Sequence, residues 1–550
     1  MTMPDPRATP PTRFARVIDT ITTRSMKLPG GLPYTVTQGV RVPMRDGAEL
    51  LADLYTPVGE VRGTLLVRLP YGRSVLVASN FVAPYAARGY RVVLQSCRGT
   101  FGSGGGPFEP MGREIEDGAD TVTWLRNQPW FEGKFATVGA SYFGFTQWAL
   151  LLDPPPELVT AIILMGVHDL YQTAHGAGAF RLELLLSWHH QIARQERGGL
   201  LTALIDRATL TRRLKPALDA LPLLETGERH LGHGPFAASY GDMLTRADPG
   251  DPYWAPRRLG EALERVRVPV LLAGGWQDIF LDQTLEQYTR LRDRDVDVAL
   301  TVGPWAHGEG LGVMTRESLD WLAEHLGGEA RPRSAPVRVY VTGAAEWRDL
   351  PGWPPPTEPQ TLYLHPDEGL GIYAPSPKAR PSTFTYDPAN PTPSVGGQLL
   401  VNGGSRDNRP LEARGDVLTF TGPALTAPLE VVGVPAVELA HHSDNPHADL
   451  FVRLCEVDVR GQSRTVSDGF RRLSPVDGGG VVRLALGATA HRFAVGSRIR
   501  VLISGGSHPQ YARNLGTGED EATGRRLAVS HLTVMHGEGG LSRIVLPVMG

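Results

Sequence analysis

The run Phe135-Ala136-Thr137-Val138-Gly139-Ala140-Ser141-Tyr142-Phe143-Gly144 carries the sharpest chemical signal in the chain. A mostly apolar, strand-like segment leads to a serine beside small residues, and a helix-compatible run follows as far as Leu152. A strand turning sharply into a helix with serine at the bend lifts the hydroxyl clear of the backbone, and small flanking residues permit the strained turn. The spacing is G-x-S-x-x-G, with Phe143 where glycine usually stands, so the motif alone does not separate a nucleophile from a Gly-rich packing turn. A serine hydroxyl also needs a base to take its proton and a carboxylate to hold that base in the right tautomer. Both are expected later in the chain, on loops after strands, with the acid before the histidine. The apolar run Val268–Leu272 leads to Ala273-Gly274-Gly275-Trp276-Gln277-Asp278, and Val298–Val302 leads to Gly303-Pro304-Trp305-Ala306-His307. A lone histidine after a strand is ordinarily a hydrogen-bonded loop residue. Ser141, Asp278 and His307 in this order, each beyond the C-terminal end of a strand where open α/β sheets bind ligands, select the catalytic reading. For the oxyanion of an acyl-transfer intermediate, the main-chain N–H of Tyr142 is one donor by construction. Tyr71, in the loop Arg68-Leu69-Pro70-Tyr71-Gly72-Arg73 after an earlier strand, is a second candidate; packing is the plainer role for such a tyrosine.

Positioning these residues requires a sheet. Between Val36 and Leu65 polar and apolar residues alternate, with turn signals at Arg45-Asp46-Gly47 and Pro57, which predicts antiparallel hairpins. Short runs at Thr64–Val67, Arg91–Leu94, Phe135–Val138, Ala161–Met165, Val268–Leu272 and Val298–Val302 are apolar on both faces, as in central strands of a mostly parallel sheet covered by helices. Helical periodicity lies between several of them, at Ile115 through Leu125, Gln283–Arg294 and Arg316–Leu326. This alternation predicts a right-handed, doubly wound α/β domain. From Met165 to Arg265 it stops, and leucine-rich helices are expected at Phe180–Arg197, Leu200–Leu214 and Phe236–Arg246. After Gly328, Pro- and Gly-rich turns separate short alternating strands such as Val337–Val341, which predicts a jelly-roll β-sandwich. The expected boundaries are an N-terminal arm over 1–35, an α/β domain over 36–165 and 262–328, a helical cap over 166–261 and a sandwich over 329–550.

The 550 residues suit three to four structural units at roughly 150 residues each. With 55 basic and 58 acidic residues the net charge is −3, too little positive field for nucleic acid or an anionic membrane as partner. The 64 glycines and 46 prolines make up a fifth of the chain, many turns but short of low complexity. Cys97 and Cys455 cannot form a disulfide scaffold, and there is no C-x-x-C pair. Met1–Pro11 has no basic segment followed by an apolar run, so a cytoplasmic location is expected. The longest apolar tract, Phe135–Leu152, is interrupted by Thr137, Ser141, Thr146 and Gln147 and is no membrane span. The stretch Gly102–Gly106 reads as a loop, the group His441, His442, Asp444, His447 and Asp449 as a solvated loop rather than a metal site, and His189-His190 as part of a cap helix.

Taken together, Arg45-Asp46-Gly47, Pro70-Tyr71, Arg98-Gly99, Gly102-Ser103-Gly104-Gly105, Asp120-Thr121 through Trp124, Gln128-Pro129-Trp130, Gly139 to Gly144, Gly275-Trp276-Gln277-Asp278 and Gly303-Pro304-Trp305-Ala306-His307 resemble the cocaine esterase-like serine hydrolases, a group that includes Xaa-Pro dipeptidyl peptidases, α-amino acid ester hydrolases and cephalosporin acylases. The similarity spans nearly the whole chain. It implies an α/β-hydrolase fold with an inserted helical cap and a C-terminal jelly roll, and the family pattern G-x-S-Y-x-G accounts for the unusual spacing at Ser141. It further implies Ser141 as nucleophile, His307 as base, Asp278 as its partner, and Tyr71 with the Tyr142 amide as oxyanion hole. Ser467-Asp468-Gly469 and Ser504 through Asn514 resemble family signatures and read as structural turns. The family usually carries Asp two residues before Arg98, where this chain has Ser96.

The expected activity is hydrolysis of a small acyl ester or acyl amide through an acyl-enzyme, with no metal or organic cofactor. Xaa-Pro peptidase, amino acid ester hydrolase, acyltransferase and non-catalytic binding module are the alternatives, and homo-oligomerisation is left open. Pocket candidates are Phe280, Trp188 and Phe180, with Asp169 and Glu183 as acids for a substrate ammonium if one is bound.

Overall fold

The computed structural model describes residues 7–197, 200–232, 234–329, 333–474 and 479–550. A ten-stranded sheet forms its centre, in the order β1-β2-β4-β3-β5-β6-β7-β8-β9-β10. The strands are β1 (Tyr34–Pro43), β2 (Glu49–Pro57), β3 (Gly63–Leu69), β4 (Tyr90–Ser96), β5 (Phe135–Ala140), β6 (Leu158–Leu164), β7 (Val270–Gln277), β8 (Val298–Ala306), β9 (Val337–Val341) and β10 (Glu346–Leu350). β1 and β2 form an antiparallel hairpin that joins β4 antiparallel, β3 through β9 run parallel to one another, and β10 closes the far edge antiparallel to β9. Every residue of β3, β4, β5 and β7 is buried, so these strands lack the alternation of a half-exposed sheet.

Helices cover both faces: α1 (Arg13–Ser25), α2 (Val75–Phe81), α3 (Ala83–Ala86), α4 (Glu114–Arg126) and α5 (Tyr142–Leu150). The insertion after β6 contributes α6 (Leu170–His175), α7 (Leu182–Arg194), α8 (Leu200–Asp219), α9 (Leu223–Leu231) and α10 (Pro235–Thr245). The chain returns through α11 (Ala262–Arg265), α12 (Leu281–Arg292) and α13 (Leu311–His325). The N-terminal arm is largely the helix α1, which opens where the Thr12 hydroxyl accepts the Ala15 N–H at 3.1 Å. No helix among the described residues is long and apolar enough to cross a membrane.

The C-terminal domain is all β. A nine-stranded sheet with members from Glu358–Leu364 to Arg543–Val548 faces a four-stranded one built from Val417–Thr421, Asp449–Val457, Ser463–Arg472 and Arg498–Ser504. Inward side chains such as Phe420, Val437, Leu454, Val501 and Ile544 fill the space between them.

Three expectations need correction. Val337–Val341, assigned to the sandwich, pairs in parallel with β8 through Leu300–Val337 and Val302–Val339 and extends the central sheet. Period-two alternation is common to an outer strand of a mixed sheet and a sandwich strand, so only pairing distinguishes them, and the sandwich strands begin at Glu358 rather than after Gly328. Ser467-Asp468-Gly469 is strand, not turn: Asp468 leaves Ser463–Arg472 to pair with the fully buried Arg453 at 2.9 Å. His441 and His442 likewise sit on the strand Ala436–Ser443 instead of a solvated loop, with His441 buried.

Candidate active site

The bend between β5 and α5 places Ser141 at φ 60°, ψ −122°, a region that costs a non-glycine residue energy and persists only where the surroundings enforce it. Two glycines enable the bend. A Cβ on Gly139 would lie 2.3 Å from the Phe143 ring, and one on Gly144 would lie 2.7 Å from the Cα of Gly166. The second contact accounts for a glycine at 144, where α5 passes against the turn after β6. The Ser141 N–H donates to the Leu164 carbonyl at 3.0 Å, tying the bend to β6.

Asp278 follows β7 and is wholly buried. Its Oδ1 lies 2.6 Å from His307 Nδ1. His307 follows β8 by one residue, and its Nε2 lies 3.0 Å from Ser141 Oγ. The carboxylate therefore holds the Nδ1–H tautomer and leaves Nε2 to face the serine. Phe280 stands edge-on to the imidazole, with centroids 5.3 Å apart.

On the other side of Ser141, the Tyr71 hydroxyl accepts a hydrogen bond from Trp188 Nε1 at 3.1 Å. Burial pushes the Tyr71 phenol up to about 12, against hydrogen bonds from Trp188 and Ser141 that favour its anion. As the first residue of α5, Tyr142 has a main-chain N–H that no helical carbonyl can reach. Its side chain is anchored elsewhere: the hydroxyl donates to Glu114 Oε1 at 2.9 Å and accepts the Met111 N–H at 2.8 Å. Glu114 is paired in turn with Arg68 at 2.8 Å, both almost fully buried. Arg98, which lacks the family's preceding aspartate, is met by Asp117 and by Asp46 instead, while Ser96 accepts from Arg73.

Ser141 and His307 open on a cavity of about 810 Å³. Trp188 and Phe280 line it, as do Phe81, Met165 and Ile279. Phe180 does not; it is buried inside the cap, its ring 5.4 Å from His175 and 5.9 Å from Tyr240. Asp169 is outside the cavity wall as well, because it caps α6 through the Gln172 N–H at 2.8 Å and pairs with Arg258 at 3.2 Å. Glu183 is buried and spends its carboxylate on main-chain N–H groups of the sandwich. Sequence reasoning missed Leu400, Val401 and Asn402, which reach the cavity from that domain. Their signal, an apolar pair before Asn402-Gly403-Gly404, has no period that points to a distant site.

Residues 46–309 match the model of the X-Pro dipeptidyl-peptidase (S15 family), and residues 330–543 match that of the X-Pro dipeptidyl-peptidase C-terminal non-catalytic domain. The cocaine esterase of Rhodococcus sp. (strain MB1 Bresler) is 30% identical over 577 aligned positions, covering 94% of this chain and 99% of that protein. The chain belongs to the cocaine esterase and X-Pro dipeptidyl-peptidase (S15) family of serine hydrolases. Among solved structures, this hydrolase superposes on an α-amino acid ester hydrolase with a TM-score of 0.79 at 22% identity, covering 94% of this chain and 97% of the other. An aminopeptidase from a marine sediment archaeon, Thaumarchaeota archaeon, gives 0.78 at 22% identity with the same coverage. Both show the fold, including the jelly roll that the family's C-terminal domain supplies.

Proposed function

We propose that this serine hydrolase cleaves small acyl esters or acyl amides through an acyl-enzyme formed on Ser141. The observation that carries the reading is the continuous hydrogen-bonded chain from Ser141 Oγ to His307, 3.0 Å, and from His307 to Asp278, 2.6 Å, at the floor of a largely apolar cavity. Ser141 attacks the acyl carbon while His307 Nε2 takes the hydroxyl proton; Asp278 stabilises the imidazolium. The imidazolium then protonates the leaving alcohol or amine, and water repeats the sequence to release the acid. Negative charge on the tetrahedral oxygen falls to the Tyr142 N–H and the Tyr71 hydroxyl. A phenol is protonated at neutral pH and burial raises Tyr71 further, and because Trp188 donates to its oxygen, the phenolic proton is left to give.

The described residues of the lining offer no free carboxylate to a substrate ammonium. Among the described residues that line the cavity, Asp206 is the one carboxylate, and Arg213 is paired with it. Neither Asp169 nor Glu183 is free to receive an α-ammonium, which separates this pocket from that of a peptidase or amino acid ester hydrolase. The test is a panel of p-nitrophenyl esters, β-lactam side-chain amides and Xaa-Pro anilides, run on wild type and Ser141→Ala. Wild type is expected to turn over the acyl esters fastest. Activity surviving in Ser141→Ala, or a preference for the Xaa-Pro anilides, overturns the reading; product partition that depends on added amine acceptors converts it to acyl transfer.

A further inference from the structure

The cap helix α7 begins with a buried carboxylate that serves another domain. Glu183 Oε2 accepts the Leu400 N–H at 3.0 Å, and Oε1 accepts the Val401 N–H at 2.9 Å and the Ser187 hydroxyl at 3.2 Å. Two successive main-chain N–H groups converging on one anion form a nest, here turned inward to hold the protein's own loop. The same end of the helix is clamped twice more: the Arg181 guanidinium donates to the Gln398 carbonyl at 3.0 Å, and the Glu183 N–H donates to the Pro509 carbonyl at 2.9 Å. A buried carboxylate is costly compared with an apolar side chain of similar volume, so packing alone is a poor reason for its presence. What it holds is functional: Leu400 and Val401 line the cavity above Ser141. From the same helix, Trp188 donates to Tyr71.

We infer that Glu183 is a positioning residue for the acyl pocket, fixing the sandwich loop whose Leu400 and Val401 form one wall, and thereby setting which acyl groups Ser141 accepts. The inference rests on the proposed acyl-enzyme reading. Removing the anchor frees the wall without touching the triad, so bulky acyl groups lose their apolar contacts and small ones lose little.

The measurement is kcat/KM for p-nitrophenyl benzoate and p-nitrophenyl acetate in wild type, Glu183→Gln and Glu183→Ala, beside the rate at which a small fluorophosphonate labels Ser141. The benzoate-to-acetate ratio is expected to fall about tenfold in Glu183→Ala and less in Glu183→Gln, which keeps one acceptor oxygen, while Ser141 labelling stays within about twofold. An unchanged ratio, or equal loss on both esters with slowed labelling, sinks the inference and reassigns Glu183 to general stability. Absence of wild-type ester turnover and labelling instead overturns the acyl-enzyme reading. Hydrogen exchange on the wild-type protein decides the matter even if neither variant folds: slow exchange of the Leu400 and Val401 amides is required, and exchange at the rate of an open loop refutes the anchor.

Discussion

On the sheet side of the cavity, Ser141, Asp278 and His307 stand just past the ends of β5, β7 and β8; β5 and β7 are buried throughout, and β8 is buried from Val298 to Gly303. The opposite walls come from the cap and from a sandwich loop, joined through the Glu183 carboxylate, the Arg181 guanidinium and the Glu183 N–H rather than by strand pairing. The proposed proton transfer from Ser141 to His307, with Asp278 orienting the ring, needs heavy atoms at hydrogen-bond distance, and a sheet supplies that precision because its register cannot slip without turning every side chain to the other face. Substrate selection tolerates looser support, and longer connections allow it to change without disturbing the chemistry.

If the sheet side carries the chemistry, its variants should lose kcat and the far side should lose selectivity. Ser141→Ala is expected to lower kcat by about 10⁶ and abolish fluorophosphonate labelling; a residual rate near wild type breaks the comparison at once. Asp278→Asn should cost about 10⁴ in kcat, because the amide stabilises the wrong His307 tautomer, with KM nearly unchanged in steady-state assays. Tyr71→Phe should cost roughly 10²–10³ in kcat. Trp188→Phe removes the N–H that orients Tyr71 but keeps an aromatic wall, so a loss of no more than about tenfold is expected; a loss equal to that of Tyr71→Phe would move Trp188 to the chemical side.

The smallest expected effect is on stability, and it tests the cap. Burial holds both His189 and His190 down at about 4. The unfolded chain takes these protons near 6.5, while the folded rings refuse them until about 4. The unfolded state therefore binds more protons in that window, and stability falls as pH drops from about 6.5 to 4. Thermal melts followed by cap-selective proteolysis should show this decline, and its absence would mean that the two rings are wetter than their burial implies.

Much of the placement of the candidate triad was readable from the chain. Asp278 and His307 follow apolar runs that pack on both faces, and such runs mark central strands by composition alone. Ser141 was harder, because its motif departs from the common one; the contact of Gly144 with Gly166 accounts for the glycine at 144. The far side was mostly hidden. Trp188 and Phe280 reach the cavity, yet Phe180, as apolar and in the same region, faces the cap interior instead. Asp169 went to a helix cap and an ion pair. In each case local sequence specified the residue type, and the partner that satisfied it lay elsewhere.

By itself the sequence determined the α/β domain, the cap, the sandwich and the chain order of the candidate triad residues, because hydrophobic period and turn chemistry are local properties. Tertiary structure alone decided that Val337–Val341 joins the central sheet, that Glu183 turns to a loop 217 residues away, and that Leu400 and Val401 wall the site. These outcomes depend on how three units dock, and docking is set by the shapes and unpaired polar groups of whole surfaces, which no short window of residues encodes.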